Sequence, residues 1–187
     1  MKKIEKNKQK PPFLPKMNTY KYKYTLVLDL DETLVHYMED KNTAFVQVRP
    51  FTDYFLEKMS KYFEIVIFTG AEEDYTNIIM KDLNKKNYIS HILCRKYTEI
   101  NNGSNIKDLS KLGRDLSKTL IVDNNKYNFC LHPENGLFIS SYLGDNNDNE
   151  LYLLCDDLMK IIKTQPDDIR PLAKEINIIM QKRYAKK

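Results

Sequence analysis

Asp29 and Asp31 stand two positions apart at the end of the apolar run YTLVL, and Thr33 follows two residues later. Two carboxylates brought within a few ångströms raise one another's pKa, or they share a cation that removes the conflict. The first arrangement is an acid pair and the second is a metal site. Mg²⁺ suits the second, because it takes hard oxygen ligands, keeps some of its waters and commonly shares the rest of its shell with a phosphate. Two further apolar runs end in polar groups, EIVIF in Thr69-Gly70 and TLIV in Asp123-Asn124. Asn124 offers a neutral amide oxygen, and Lys107 in NIKDLSKLGRDL offers a cation for phosphoryl oxygens.

These residues do chemistry together only if the chain brings its strand ends to one edge. Residues 24–28 are nearly all β-formers, as in a central parallel strand covered on both faces, and 64–70 and 118–123 have the same character. Residues 44–48 alternate as a short strand, and 136–140 predict a further strand. Pro50 marks a helix start, with Phe51, Tyr54, Phe55, Met59 and Phe63 at helical spacing. Residues 71–85 read as a helix, and 90–100 with 104–109 as two strands about the turn Asn101-Asn102-Gly103. A helix capped by Asp148 or Asn149 follows, and a last one runs from Asp167 to about Tyr184. Strands alternating with helices predict an α/β sheet, whose ligands bind at the carboxyl ends of its strands.

At 187 residues, 42% hydrophobic and 30% charged, the chain is of a size for one core, and no apolar run approaches the roughly 20 residues of a membrane span. Residues 1–20 read as a basic arm outside the core and 21–187 as the folded domain. Eight lysines face one glutamate in the first 23 residues, a pattern that suits an acidic partner or a larger assembly. The net charge of +4 is too mild to point to nucleic acid. The first ten residues lead into prolines rather than an apolar segment, so no secretory signal is read there, and they lack the arginine and serine of a mitochondrial presequence. Cys94, Cys130 and Cys155 are widely spaced, which predicts small buried hydrophobes in a reducing compartment rather than disulfides or zinc ligands. His36 is expected to pack structurally, Arg49 beside Pro50 to be structural, and His91 and His132 have no partner at metal spacing.

LDLDETLVH, VIFTG, NIKDLSKLGRDL and LIVDNN, in this order, resemble the four motifs of the haloacid dehalogenase superfamily, and within it the branch of RNA polymerase II C-terminal-domain phosphatases and NLI-interacting-factor-like proteins. The likeness covers residues 24 to about 165. It implies a haloacid-dehalogenase-like parallel sheet with helices on both faces, a small β-hairpin insert and no large cap domain. It further implies a Mg²⁺-dependent protein serine/threonine phosphatase, intracellular and nuclear or cytoplasmic, with a mitochondrial setting as the alternative. By the resemblance, Asp29 is the nucleophile that forms an aspartyl-phosphate, and Asp31 protonates the leaving group and then activates water. Mg²⁺ falls to the Asp29 carboxylate, the Asp31 backbone carbonyl and the Asn124 side chain. Thr33 orients the Asp31 region, Thr69 and the Gly70 amide bind phosphoryl oxygens, and Lys107 neutralises transition-state charge. Asp123 stands behind them, fixing Lys107 or a metal-bound water.

Spacing bears on the substrate. About 35 residues separate Thr33 from Thr69, which a short hairpin, a helix and a strand already use. Thr69 to Lys107 is about as short, holding a helix and the Asn-Asn-Gly hairpin, so a small β insert is the most that fits and a folded cap does not. The site is expected to be open, which suits a phosphorylated segment of a larger chain. The hairpin position at which the polymerase-tail phosphatases carry a substrate-recognising arginine is Asn102 here, and the stretch between His36 and Arg49 is short. A phosphatase-fold subunit that binds within a larger assembly, like the related mitochondrial import receptor, is the alternative. A small-molecule phosphatase is the third reading.

Overall fold

The computed structural model describes residues 9–40 and 43–185. Five strands form one parallel sheet: β1 (Tyr24–Leu28), β4 (Phe63–Phe68), β5 (His91–Leu93), β8 (Thr119–Asp123) and β9 (Gly136–Phe138), in the order β5-β4-β1-β8-β9. Two antiparallel hairpins lie outside it, β2 (Val35–Asp40) with β3 (Thr43–Val48), and β6 (Glu99–Asn101) with β7 (Ser104–Ile106). β1 is central and every one of its residues is buried, which accounts for its unbroken β-forming run. The chain moves from β1 to β4 and β5 on one side, then crosses back to β8 and β9 on the other. That reversal opens a crevice between β1 and β8 at their carboxyl ends.

The two faces of the sheet carry separate cores, because successive strand residues point to opposite sides. Leu26, Leu28, Ile65, Ile67, Leu120 and Val122 pack with the helices α1 (Thr52–Met59), α2 (Glu73–Leu83), α3 (Glu150–Thr164) and α4 (Arg170–Tyr184). Val27, Val66, Phe68 and Ile121 pack on the opposite face with Leu109, Leu112 and Phe129, which belong to single 3-10 turns. Helical segments therefore cover both faces, unequally.

Leu14 belongs to that second core at 5% exposure. The Phe13 amide donates to the Lys111 carbonyl at 2.8 Å, and the Phe13 ring meets Tyr97 edge-on. An arm lying wholly outside the core is thus not what residues 13–14 form: two apolar side chains cover sheet surface that no α-helix reaches. Residues 1–8 of that arm lie outside the described part. The expected strand over 90–100 is also divided. His91–Leu93 joins the main sheet at its edge, Arg95–Tyr97 turns as a 3-10 segment, and only Glu99–Asn101 pairs in the hairpin. The reversal falls at Asn101-Asn102-Gly103 as expected, with Asn102 and Gly103 both at positive φ.

At the start of α3 the cap is shared. Asn149 occupies the N-cap without a side-chain bond, while Asp148 Oδ1 accepts from the Glu150 amide at 3.1 Å. Asp148 also receives both Nε and Nη2 of Arg49, at 2.8 and 2.7 Å. Arg49 is buried, and its Nη1 donates to the Thr33 carbonyl at 3.1 Å, so it ties the loop after β1 to the foot of α3. Its role is structural, as expected. His36 packs edge-on against Tyr142. Cys94 and Cys155 are buried as expected, but Cys130 is exposed, since it follows a surface 3-10 turn over 126–129. No helix among the described residues is long and apolar enough to cross a membrane.

Candidate functional site

Asp29 follows the last residue of β1 and its amide still donates to the Val122 carbonyl at 3.0 Å, so the strand pairing with β8 holds its backbone in register. Leu30 turns into the core at 0% exposure, leaving Asp29 and Asp31 on the same side at the mouth of the sheet. Glu32 then takes a positive φ of 57°, which turns the chain back so that Thr33 and Leu34 return toward Leu30. These residues border an open cleft of about 570 Å³ lined by Asp29, Asp31, Glu32, Thr69, Gly70 and Asn124, with Tyr75, Arg95, Asn105 and Asn128 among the others at its rim.

Asp29 is 5% exposed and surrounded by donors. Lys107 Nζ lies 2.5 Å from its Oδ1 and the Thr33 hydroxyl donates to its Oδ2 at 3.0 Å. Burial pushes the Asp29 carboxyl up, to about 6, against the pull of Lys107 in the opposite direction. Lys107 is itself fully buried, which disfavours its charge, yet Asp29 and Asp123 hold its ammonium above the ordinary lysine range. The shared cation pulls Asp29 toward its charged form, against burial and the nearby Asp123 carboxylate, which both raise it. Asp123 Oδ2 accepts from Lys107 at 2.6 Å, and its Oδ1 accepts from the Asn125 amide at 2.8 Å and from Asn128 Nδ2 at 3.1 Å.

Asp31 faces the other wall. Tyr75 Oη donates to Asp31 Oδ1 at 2.7 Å, and the Thr69 hydroxyl reaches Oδ2 at 3.5 Å while accepting from the Ala71 amide at 3.0 Å. Thr69 sits at the end of β4, where its amide donates to the Leu93 carbonyl at 2.9 Å. A Cβ at Gly70 would lie 2.5 Å from Asn105 Nδ2, so a larger residue there would displace the Asn105 side chain. Asn124 Nδ2 donates to Glu32 Oε2 at 3.2 Å and to Ser141 Oγ at 2.9 Å, which turns its Oδ1 toward Thr33, 3.5 Å from that hydroxyl.

All eight residues expected at the site, Asp29, Asp31, Thr33, Thr69, Gly70, Lys107, Asp123 and Asn124, meet at this one edge. Two of them, Thr33 and Lys107, sit differently from expectation. Thr33 bonds Asp29, not Asp31, because the positive φ at Glu32 folds it back toward β1. Lys107 stands behind Asp29, fully buried, rather than on the cleft wall, while Asp123 lies behind the site and accepts from Lys107, as expected. Asn102 is exposed at the hairpin tip, away from the cleft lining. Tyr75 was missed. Its spacing with Ile79 and Leu83 on α2 marks a core-facing stripe, and only the placement of the first turn of α2 beside Asp31 shows a second use for its hydroxyl. Arg95 is a further addition, reaching the Gly70 carbonyl and donating to Glu72 Oε1 at 2.8 Å.

The donor set fits a hard divalent cation. No group of three His, Cys, Asp or Glu among the described residues could hold a metal, so a thiolate or imidazole site is not formed there. Oxygen-bearing residues line the cleft, Asp29, Asp31 and Asn124, and the Asn124 nitrogen is engaged, which leaves its Oδ1 as an acceptor.

Against known proteins, residues 24–170 match the family model described as NLI interacting factor-like phosphatase. The chain is 38% identical over 178 residues to CTD small phosphatase-like protein 3 of Caenorhabditis elegans, covering 86% of this chain and 62% of that protein. It is 36% identical over 152 residues to the mitochondrial import inner membrane translocase subunit tim50 of Aspergillus fumigatus, covering 81% of this chain and 30% of that protein. Among solved structures it is similar to the fission yeast RNA polymerase II CTD phosphatase Fcp1 bound to beryllium fluoride, at a TM-score of 0.52 and 19% identity, covering 85% of this chain and 56% of that one. That structural likeness bears on the fold, which is haloacid-dehalogenase-like. The chain spans between 31% and 62% of the length of the first three relatives it matches. With the family model spanning most of the chain and all four motifs gathered at the cleft, the chain belongs to the NLI interacting factor-like phosphatase family.

Proposed function

We propose that this chain hydrolyses phosphoserine or phosphothreonine in a protein substrate through an aspartyl-phosphate on Asp29, with Mg²⁺ as cofactor. The observation that carries the reading is the pairing of two carboxylates in different surroundings. Asp29 is buried, fixed by Lys107 and Thr33 and open only toward the cleft, whereas Asp31 is oriented by neutral hydroxyls. A nucleophile must hold its direction and keep its charge; an acid must carry and release a proton.

In the first step the Asp29 carboxylate attacks phosphorus while Asp31 gives its proton to the departing alkoxide. In the second, Asp31 takes a proton from water as that water displaces the aspartyl oxygen. Lys107 and Thr33 hold Asp29 for both steps, and Lys107 offsets charge from behind it. Thr69 and the Gly70 amide are suited to phosphoryl oxygens. Asp29, the Asp31 carbonyl and Asn124 would hold the Mg²⁺, which when bound supplies a Lewis acid for a phosphoryl oxygen. The short intervals between motifs, filled by hairpins and single helices, leave the cleft open to a segment of a folded partner. Such a substrate suits a nuclear or cytoplasmic setting.

Hydrolysis of p-nitrophenyl phosphate tests the chemistry. Turnover is expected with Mg²⁺, to be lost on chelation, and to fall by at least about a thousandfold in Asp29→Asn. A phosphopeptide panel then separates a protein substrate from a small metabolite. The import-translocase relatives support a second reading, a binding subunit. It predicts no turnover with any substrate in the wild type.

A further inference from the structure

We infer that Tyr75 is a positioning residue for proton transfer: its hydroxyl holds one oxygen of Asp31 and so dedicates the other to the proton that the leaving group receives. The inference rests on the proposed phosphatase reading and adds a residue to it. Tyr75 Oη lies 2.7 Å from Asp31 Oδ1, the shortest of the bonds to that side chain, and the phenol is half-buried at the cleft edge. Its ring is held in turn by Tyr37 of β2, edge-on with centroids 6.5 Å apart, and by the core beneath α2. The hydroxyl therefore has a fixed direction.

A carboxyl that must give up a proton has two oxygens that compete to carry it. With Oδ1 accepting from Tyr75, a proton on that atom would displace a 2.7 Å hydrogen bond, whereas Oδ2 has only the long 3.5 Å approach of Thr69. Oδ2 is the atom left to be protonated. In the first step the Oδ2–H bond breaks as the leaving oxygen takes the proton, the ester P–O bond breaks onto that oxygen, and the Asp29 O–P bond forms. Asp31 leaves the step as a carboxylate with Oδ1 still accepting from Tyr75. The same bond then keeps Oδ2 aimed at the water of the second step.

Protonation of the leaving group matters in proportion to how poor that group is. Tyr75→Phe keeps the ring, its volume and its contact with Tyr37, and removes only the donor. Compared across a series of substituted phenyl phosphates of one shape, kcat/KM of Tyr75→Phe is expected to fall about tenfold for unsubstituted phenyl phosphate, and by no more than about twofold for p-nitrophenyl phosphate, whose leaving group departs without help. The dependence on leaving-group basicity becomes steeper. A melting curve of the variant that coincides with the wild type shows that folding is unaffected. An equal fall in kcat/KM across the series, or no fall at all, overturns the role of Tyr75 and leaves the phosphatase reading standing. A wild type that hydrolyses none of the series overturns both.

Discussion

Lys107 settles an electrostatic conflict between two buried carboxylates. Asp29 and Asp123 both approach its ammonium, at 2.5 and 2.6 Å, and the lysine and Asp123 have no exposed surface at all. Charges removed from water this far persist only when paired, and removing one partner of a buried pair typically costs about 3–5 kcal/mol. Lys107→Met should therefore lose about 3 kcal/mol of stability, seen as a lower urea midpoint, in addition to its activity. An unchanged midpoint would show that the two carboxylates are relieved by some other means. The sequence made Lys107 legible as a cation for the site, because the stretch NIKDL resembles a family motif. Its depth was not legible, since burial of a lysine is decided by carboxylates 78 and 16 positions away.

At the scale of the element, β4 shows how a charged residue survives inside a parallel sheet. Glu64 lies in a fully buried strand, yet Arg114 Nε and Nη2 donate to its two oxygens at 2.6 and 2.9 Å, and His91 on the adjoining β5 lies 3.3 Å away. Burial alone would raise the Glu64 pKa; the bonds from His91 and Arg114 outweigh it and hold the carboxyl down to about 2, against 4.5 for the free group. A depressed folded pKa contributes stability that is fully present above about pH 4.5 and is lost as pH falls toward 2. In urea unfolding, Glu64→Gln should be less stable than the wild type by about 3 kcal/mol at pH 7, and the gap should narrow by pH 3. A gap that stays constant between those pH values would contradict the pairing. The alternation that exposes most strands to sequence reading gives no hint of this pair, because Glu64 interrupts an otherwise apolar run. The burial of Phe13 and Leu14 was hidden for a related reason: they sit among lysines and prolines, and only the second face of the sheet, which 3-10 turns cover, explains why they pack there.

The whole molecule reads as one sheet whose order, β5-β4-β1-β8-β9, brings three strand ends to a single crevice. The apolar runs 24–28, 64–68 and 119–123 and the polar groups that close them were enough to expect this, since polar groups after buried parallel strands collect at the edge where such sheets bind ligands. What could not be read was the orientation of side chains within the crevice. Thr33 turns to Asp29 because of the left-handed Glu32, and Tyr75 turns to Asp31 because of where α2 begins; both depend on backbone directions that residue types do not encode. The central claim is that the crevice exists to place a phosphoryl group on Asp29. Acid quenching of the wild type during turnover of p-nitrophenyl phosphate with Mg²⁺, followed by proteolysis and mass spectrometry, tests it most directly. The account predicts a hydroxylamine-sensitive phosphoryl adduct on Asp29, absent from Asp29→Asn; steady turnover with the adduct on another residue, or with none in a rapid-quench time course, would contradict it.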